Sequence, residues 1–392
     1  MRVVSTVKSD LTRASASPVF GDQLSDHRNS LNFLRLVLAS VVLLSHAASL
    51  VSRGPWAGVV NQTSAAQIAL YGFFAISGYL IAQSAIRSTS SGYLWKRALR
   101  IFPGLVACLI LTACVFGVIA WLQVPHPGCG LSCYVGAPDS PVMYVVKNSL
   151  LANPFWIQHT IAGTPDLFGM NWNESIWTLF YEFLCYLLVL ALAVFGMLRR
   201  RVLTLAVTSV LWAAMAVITV TPALSAQFTI EHNCNLESLI RFSTLFLVAS
   251  TLYLYRERVP DRWWLAAACA AIYATSVLLP TGGLIPTFSF TPGDIGMPFL
   301  VYPVLWLGIH LPFRTIGSKN DYSYGIYIYG WPITELLILW HAYRLGLPLY
   351  LTCCFVATIP FAVAIWWLIE KRSLRMKDLL PRTRSRAAPL EV

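Results

Sequence analysis

The sequence predicts an all-α, polytopic integral membrane protein with about ten transmembrane helices. Three observations predict it. The 392 residues are 57% hydrophobic and only 11% charged, whereas a soluble domain carries about 25% charge. Ten windows of the chain are apolar over a length near the ~20 residues of helix that cross a bilayer. The basic residues also sort by loop. With the amino terminus inside, 23 of the 28 Lys and Arg fall on inner segments, and only Arg53, Lys147 and Arg344 fall outside. That is a strong inside-positive bias. The net charge of +11 is therefore topological, scattered over membrane loops and not gathered on one nucleic-acid-binding domain.

Residues 1–28 are rich in Ser, Thr, Asp and Arg and lack an apolar stretch, so they read as a disordered cytoplasmic tail and not as a signal peptide. Residues 29–375 form the expected transmembrane domain, and 376–392 a basic cytoplasmic tail. The first span, about 31–52, carries Arg35 and His46. Eleven helical residues advance about 16 Å and turn roughly 1100°, about 20° past three turns, so both side chains share one face. An intramembrane ionisable group costs a few kcal/mol, so such a stripe faces protein or water and is a functional surface by default.

The second span, about 65–86, contains Ser77-Gly78, small residues suited to close helix packing. Trp95 to Pro103 follows as a basic inner loop, with Pro103 near the start of the third span at about 101–123. Arg97 and Arg100 sit there at helical spacing. Guanidinium groups beside free helix-start N–H groups suit phosphate or pyrophosphate, and the same residues also serve as plain inner-end anchors. The outer segment 124–172 is rich in Pro and Gly, with a more regular stretch near 142–160 that suits the membrane surface. Its Cys129 and Cys133 are close enough for a disulfide in an oxidising compartment. A metal site is not expected, because His126 and His232 would have to converge on them from different loops.

The fourth span, about 175–197, descends from the outer side and places Glu182 about two turns in, in the leaflet of His46. A carboxylate bonded to that imidazole would fix its tautomer and strengthen it as a general base on a hydroxyl; a purely structural interhelical hydrogen bond is the other reading. Arg199 to Arg201 close this span on the inner side. Spans at about 202–221, 237–255, 263–280, 296–312, 322–341 and 347–369 complete the set. Within the sixth, Arg241 lies one helical turn after Glu237, and an internal ion pair accounts for both. His159, His232 and His310 read as loop or boundary residues. Glu335, beyond Pro332 in the ninth span, reads as a polar group on the acceptor side.

Several of these segments together resemble the acyltransferase-3 family of integral membrane acyltransferases. Arg35, ten residues and His46, preceded by Asn32-Phe33-Leu34, match its first span. Phe73-Phe74-Ala75-Ile76-Ser77-Gly78-Tyr79-Leu80-Ile81 resembles its second. Lys96-Arg97-Ala98-Leu99-Arg100-Ile101-Phe102-Pro103 is similar to its basic motif, with Lys96 where an arginine is usual. Trp177-Thr178-Leu179-Phe180-Tyr181-Glu182 is similar to its Trp-Ser-Leu-x-x-Glu, and Tyr322 to Tyr327 and Trp367 to Lys371 fit its closing spans.

The resemblance covers residues 28–375 and implies the chemistry. An acyl group, commonly acetyl, passes from cytoplasmic acyl-coenzyme A to a hydroxyl, often on a carbohydrate or glycolipid at the outer face. Arg35, Arg97 and Arg100 would hold coenzyme phosphates, His46 would act as base or transient acyl acceptor, and Glu182 would orient it. No soluble esterase-like domain is fused, so acylation of the acceptor would be direct. A bacterial inner-membrane location with both termini cytoplasmic fits that task. The competing class is a secondary transporter or exporter, which predicts an internal repeat; the two halves show no corresponding pair of motifs.

Overall fold

The structure is a computed structural model that describes residues 29–51, 59–60, 63–136, 138–151, 160–161, 163–164, 172–221, 234–279 and 291–379, together with Phe20 and Leu24. The expectations placed on His159 and His232 lie outside the described residues, as does most of each tail.

Helix α1 (Leu31–Val51) is followed by a two-residue hairpin, β1 (Val59–Val60) with β2 (Thr63–Ser64). Ser64 then caps α2 (Ala65–Arg87), its hydroxyl accepting from the Gln67 N–H. Helix α3 (Ser90–Leu111) passes through a π turn (Thr112–Phe116) into α4 (Gly117–Leu122). Two short helices follow, α5 (Leu131–Gly136) and α6 (Pro141–Ser149), then α7 (Trp177–Val194), α8 (Arg201–Val220), α9 (Cys234–Leu254) and α10 (Trp263–Leu278). The chain ends through α11 (Pro292–Gly296), α12 (Pro298–His310), α13 (Ser323–Leu339), α14 (Leu347–Ile365), a second π turn (Trp366–Glu370) and α15 (Lys371–Arg375).

The architecture is an all-α, multi-pass membrane protein. Among the described residues seven helical segments are long and apolar enough to cross a bilayer, including the continuous runs Ser90–Leu122 and Leu347–Arg375. The three remaining expected spans coincide with the shorter helices α10, α12 and α13, of 16, 13 and 17 residues.

Packing follows the small residues. Helix α2 lies against α9 along most of its length, and α1 sits between α2 and α13. A Cβ placed on Gly78 would fall 2.5 Å from the Phe246 carbonyl oxygen and 2.9 Å from the Ala249 methyl, so only glycine lets α2 and α9 approach this closely. The Ser250 hydroxyl donates to the Gly78 carbonyl at 3.1 Å and fastens the same crossing.

Four expectations change. The basic segment is not a loop: Thr89 caps α3 through the Gly92 N–H, so Lys96, Arg97 and Arg100 lie on a helix, about two to three turns past its start. Pro103 sits inside that helix, and the free N–H groups expected beside it do not exist there. Arg241, besides its charge interaction with Glu237, pairs with Asp294 of α11 at 3.0 Å, a partner the sequence did not indicate. Asp294 is held for this role by a capping box with Thr291 and by the Tyr71 hydroxyl. Phe20, inside the expected amino-terminal tail, is buried with its ring 4.8 Å from that of Tyr302. The start of the expected carboxy-terminal tail is also tied down, because the Trp95 indole N–H donates to the Met376 carbonyl at 2.9 Å.

Candidate active site

The stripe of α1 sorts its two ionisable residues into separate surroundings. At the lower end the Arg35 guanidinium reaches Asp321 Oδ2 at 3.0 Å. Arg100 reaches the same oxygen at 2.6 Å and Glu370 Oε2 at 3.2 Å, and its guanidinium lies 5.6 Å above the Tyr324 ring. Asp321 precedes α13, and its other oxygen accepts from the Ser323 N–H at 3.1 Å and from the Ser323 hydroxyl. Burial alone would raise the Asp321 carboxyl. The Arg35 and Arg100 guanidiniums, with the two Ser323 hydrogen bonds, overcome it and hold the group well below the usual carboxylate range.

Beside this cluster opens a cavity of about 180 Å³, lined among others by Arg35, Lys96, Arg97, Arg100, Glu182 and Lys377. Asp321 and Glu370 neutralise Arg35 and Arg100. Arg97 differs: among the described residues it has no carboxylate partner, its Nε is buried without a hydrogen bond, and its guanidinium stands 5.8 Å from the Tyr186 ring centroid. With Arg97 and Lys377 set against Glu182, the lining keeps an excess of positive charge, a setting that attracts phosphate groups. Glu182 accepts from the Tyr186 hydroxyl and from Ser77 at 3.4 Å.

His46 occupies a second, smaller chamber of about 10 Å³ with Val42, Leu43, Ser175, Tyr327, Trp331 and Thr334. Its ring meets the Trp331 ring edge-on, with centroids 4.9 Å apart. Tyr327 lines this chamber and is firmly held. Its hydroxyl donates to the Ser175 carbonyl at 3.0 Å and meets the Thr178 hydroxyl, and its ring stands 5.9 Å from Phe73.

The structure thus brings Arg35, Arg97, Arg100 and Glu182 to one cavity and leaves His46 in another. The expected contact between Glu182 and His46 is absent among the described residues. Ser175, in the 3₁₀ turn Glu174–Ile176 that starts the fourth span, is the residue of that span that lines the His46 chamber. Seven residues of rise, about 10 Å, then carry Glu182 down to the arginines. Asp321, Glu370, Lys377, Tyr327 and Trp331 were not singled out by sequence. Asp321 directly precedes the Tyr322-Ser323-Tyr324 motif and Glu370 lies within Trp367 to Lys371, so both motifs pointed at the site without naming its acids.

In the outer segment Cys129 and Cys133 are joined by a disulfide, with Cα atoms 5.9 Å apart. His126 stacks on Trp121, centroids 4.2 Å apart, and its Nε2 lies 3.0 Å from the Gly163 carbonyl oxygen.

A family model described as an acyltransferase domain matches residues 28–367. The chain is 28% identical over 364 residues to a protein of Shigella phage Sf6 named O-acetyl transferase, with 88% of this chain and 96% of that one covered. It is 25% identical over 399 residues to nodulation protein 10 of Rhizobium leguminosarum bv. viciae, covering 91% of this chain and 96% of the relative. No solved structure matches it.

Proposed function

This chain belongs to the acyltransferase family whose domain spans residues 28–367, and from that membership we propose that it transfers an acetyl group from cytoplasmic acyl-coenzyme A to a hydroxyl of a surface carbohydrate or glycolipid. The observation that carries the reading is the order of chambers along α1: a positively charged cavity lined by Arg35 and Arg97 and a small chamber at His46, about 16 Å apart along one helix face. A donor with phosphates at one end and a thioester at the end of a long arm has that form. The inside-positive distribution of basic residues supports setting the Arg35 end, and both termini, at the cytoplasmic face of a bacterial inner membrane.

In this scheme Arg97, with Lys96 and Lys377, receives donor phosphates, while Arg35 and Arg100 frame them under the constraint of Asp321. His46 takes the proton of the acceptor hydroxyl as the oxygen attacks the acyl carbonyl. The carbon–oxygen bond forms, the carbon–sulfur bond breaks, and the proton passes to the departing thiolate. Glu182, fixed by Tyr186, serves the lower cavity and not the imidazole, a role nearer to positioning the donor than to orienting His46.

The test compares ester-linked acetyl groups on surface glycans from wild-type, His46→Ala and Arg97→Gln cells, by nuclear magnetic resonance and mass spectrometry. His46→Ala should abolish them. Arg97→Gln should reduce them about tenfold or more, the size of one lost charge-assisted contact, with the protein still inserted. Unchanged acetylation in both variants would sink the proposal.

A further inference from the structure

The chamber at His46 has a size as well as a position. Its volume of about 10 Å³ is about that of one water-sized sphere, so the methyl group of an acetyl unit already fills it. Its walls have little slack. On α13, Gly330 is in such close approach to α1 that a Cβ there would lie 2.8 Å from a Leu43 methyl. One residue on, Trp331 sets its ring edge-on to the imidazole, centroids 4.9 Å apart. Tyr327 lines another side and is held by the Ser175 carbonyl and the Thr178 hydroxyl. Thr334, one turn above Gly330, is bonded at 2.8 Å to the Gly330 carbonyl and is buried.

We propose that Trp331, backed by the Leu43 and Gly330 contact, is the acyl-length selector of this enzyme: the His46 chamber accepts the methyl group of a two-carbon acyl unit and excludes longer chains. The inference rests on the acyl-transfer reading above and adds the residues that set its specificity. A propionyl or butyryl chain carries one or two methylenes more than the chamber holds. Accommodating them requires displacing an indole already in contact with His46 or parting α1 from α13 where they touch. Close-packed walls resist such displacement, and discrimination of about tenfold or more per added methylene follows.

The experiment uses membrane vesicles from cells producing the full chain. Acetyl-, propionyl- and butyryl-coenzyme A are supplied singly and in equimolar mixture. Release of the coenzyme thiol gives the rate, and mass spectrometry of acids freed by mild alkali gives the acyl group transferred. Wild type should favour acetyl over propionyl by about tenfold and over butyryl by more. Trp331→Ala should bring the three within about threefold of one another, chiefly by gaining activity with butyryl, and Trp331→Phe should fall between.

The wild-type profile needs no variant, so the proposal stays exposed if Trp331→Ala is not recovered in membranes. Equal use of all three donors by wild type overturns the selector. So does an active Trp331→Ala with an unchanged acetyl to butyryl ratio. Thiol release from none of the donors overturns the acyl-coenzyme A reading itself and the selector with it.

Discussion

One oxygen of Asp321 receives both Arg35 and Arg100, and replacing that carboxylate shows what the cluster contributes. Asp321→Asn leaves two largely buried guanidiniums with Glu370 alone between them, at an expected cost of about 3 kcal/mol. The pH dependence has a definite sign. A carboxyl whose folded pKa is depressed below its unfolded value near 3.9 contributes fully above about pH 4. The contribution is lost progressively as pH falls from the unfolded value toward the folded one. The gap in thermal unfolding temperature between wild type and Asp321→Asn in detergent should therefore stay constant from about pH 7 to 5. A gap that closes over this range would mean that the guanidiniums do not keep the group ionised. At this scale the sequence announced Arg35, His46, Arg97 and Arg100 because charge within or beside an apolar run is conspicuous. Asp321 and Glu370 sit at the ends of apolar runs, where a charge is ordinary, and no one-dimensional signal marked them.

Among the elements, the passage from α3 through its π turn to α4 shows how local irregularity anchors the outer segment. A π turn loosens the regular hydrogen-bond ladder, and here the Ala113 carbonyl accepts from the Tyr134 hydroxyl at 2.6 Å. Gly117, just past the turn, leaves room for that phenol: a Cβ there would lie 2.3 Å from the Tyr134 oxygen. Gly117→Ala should push Tyr134 off Ala113 and destabilise the protein by about 1–3 kcal/mol, seen as a lower unfolding temperature in detergent. If the phenol is the obstacle, adding Tyr134→Phe should cost less than the sum of the single changes. Additive losses would remove it from that role. Apolar windows were enough to locate the spans, yet the start of α3 was missed. Its first two turns are polar and basic, which hydropathy reads as loop, while the Thr89 cap that begins the helix is a matter of hydrogen bonding. The level of Glu182 relative to His46 was missed because it depends on how α7 and α1 are offset along their axes, which composition does not record.

For the whole molecule the distribution of Lys and Arg gives the orientation a direct test. Alkaline phosphatase joined after Lys147 should be active outside, and joined after Arg200 it should be inactive; the reverse result would invert the proposed direction of transfer. The fold class and family membership were legible in full because both rest on order along the chain: apolar windows in sequence, and motifs at fixed spacing from Arg35 to Lys371. The two-chamber arrangement was not legible, since it arises where α1, α2, α3, α7 and α13 meet.

Asp321 ties α1 to α3 immediately before α13 begins, and Glu370 adds the end of the α14 run to the same knot. The Leu43 and Gly330 contact holds α1 against α13 a second time, at the level of His46. Fastened at two levels, these helices form a frame set before either reactant binds, and donor and acceptor must fit that frame rather than shape it.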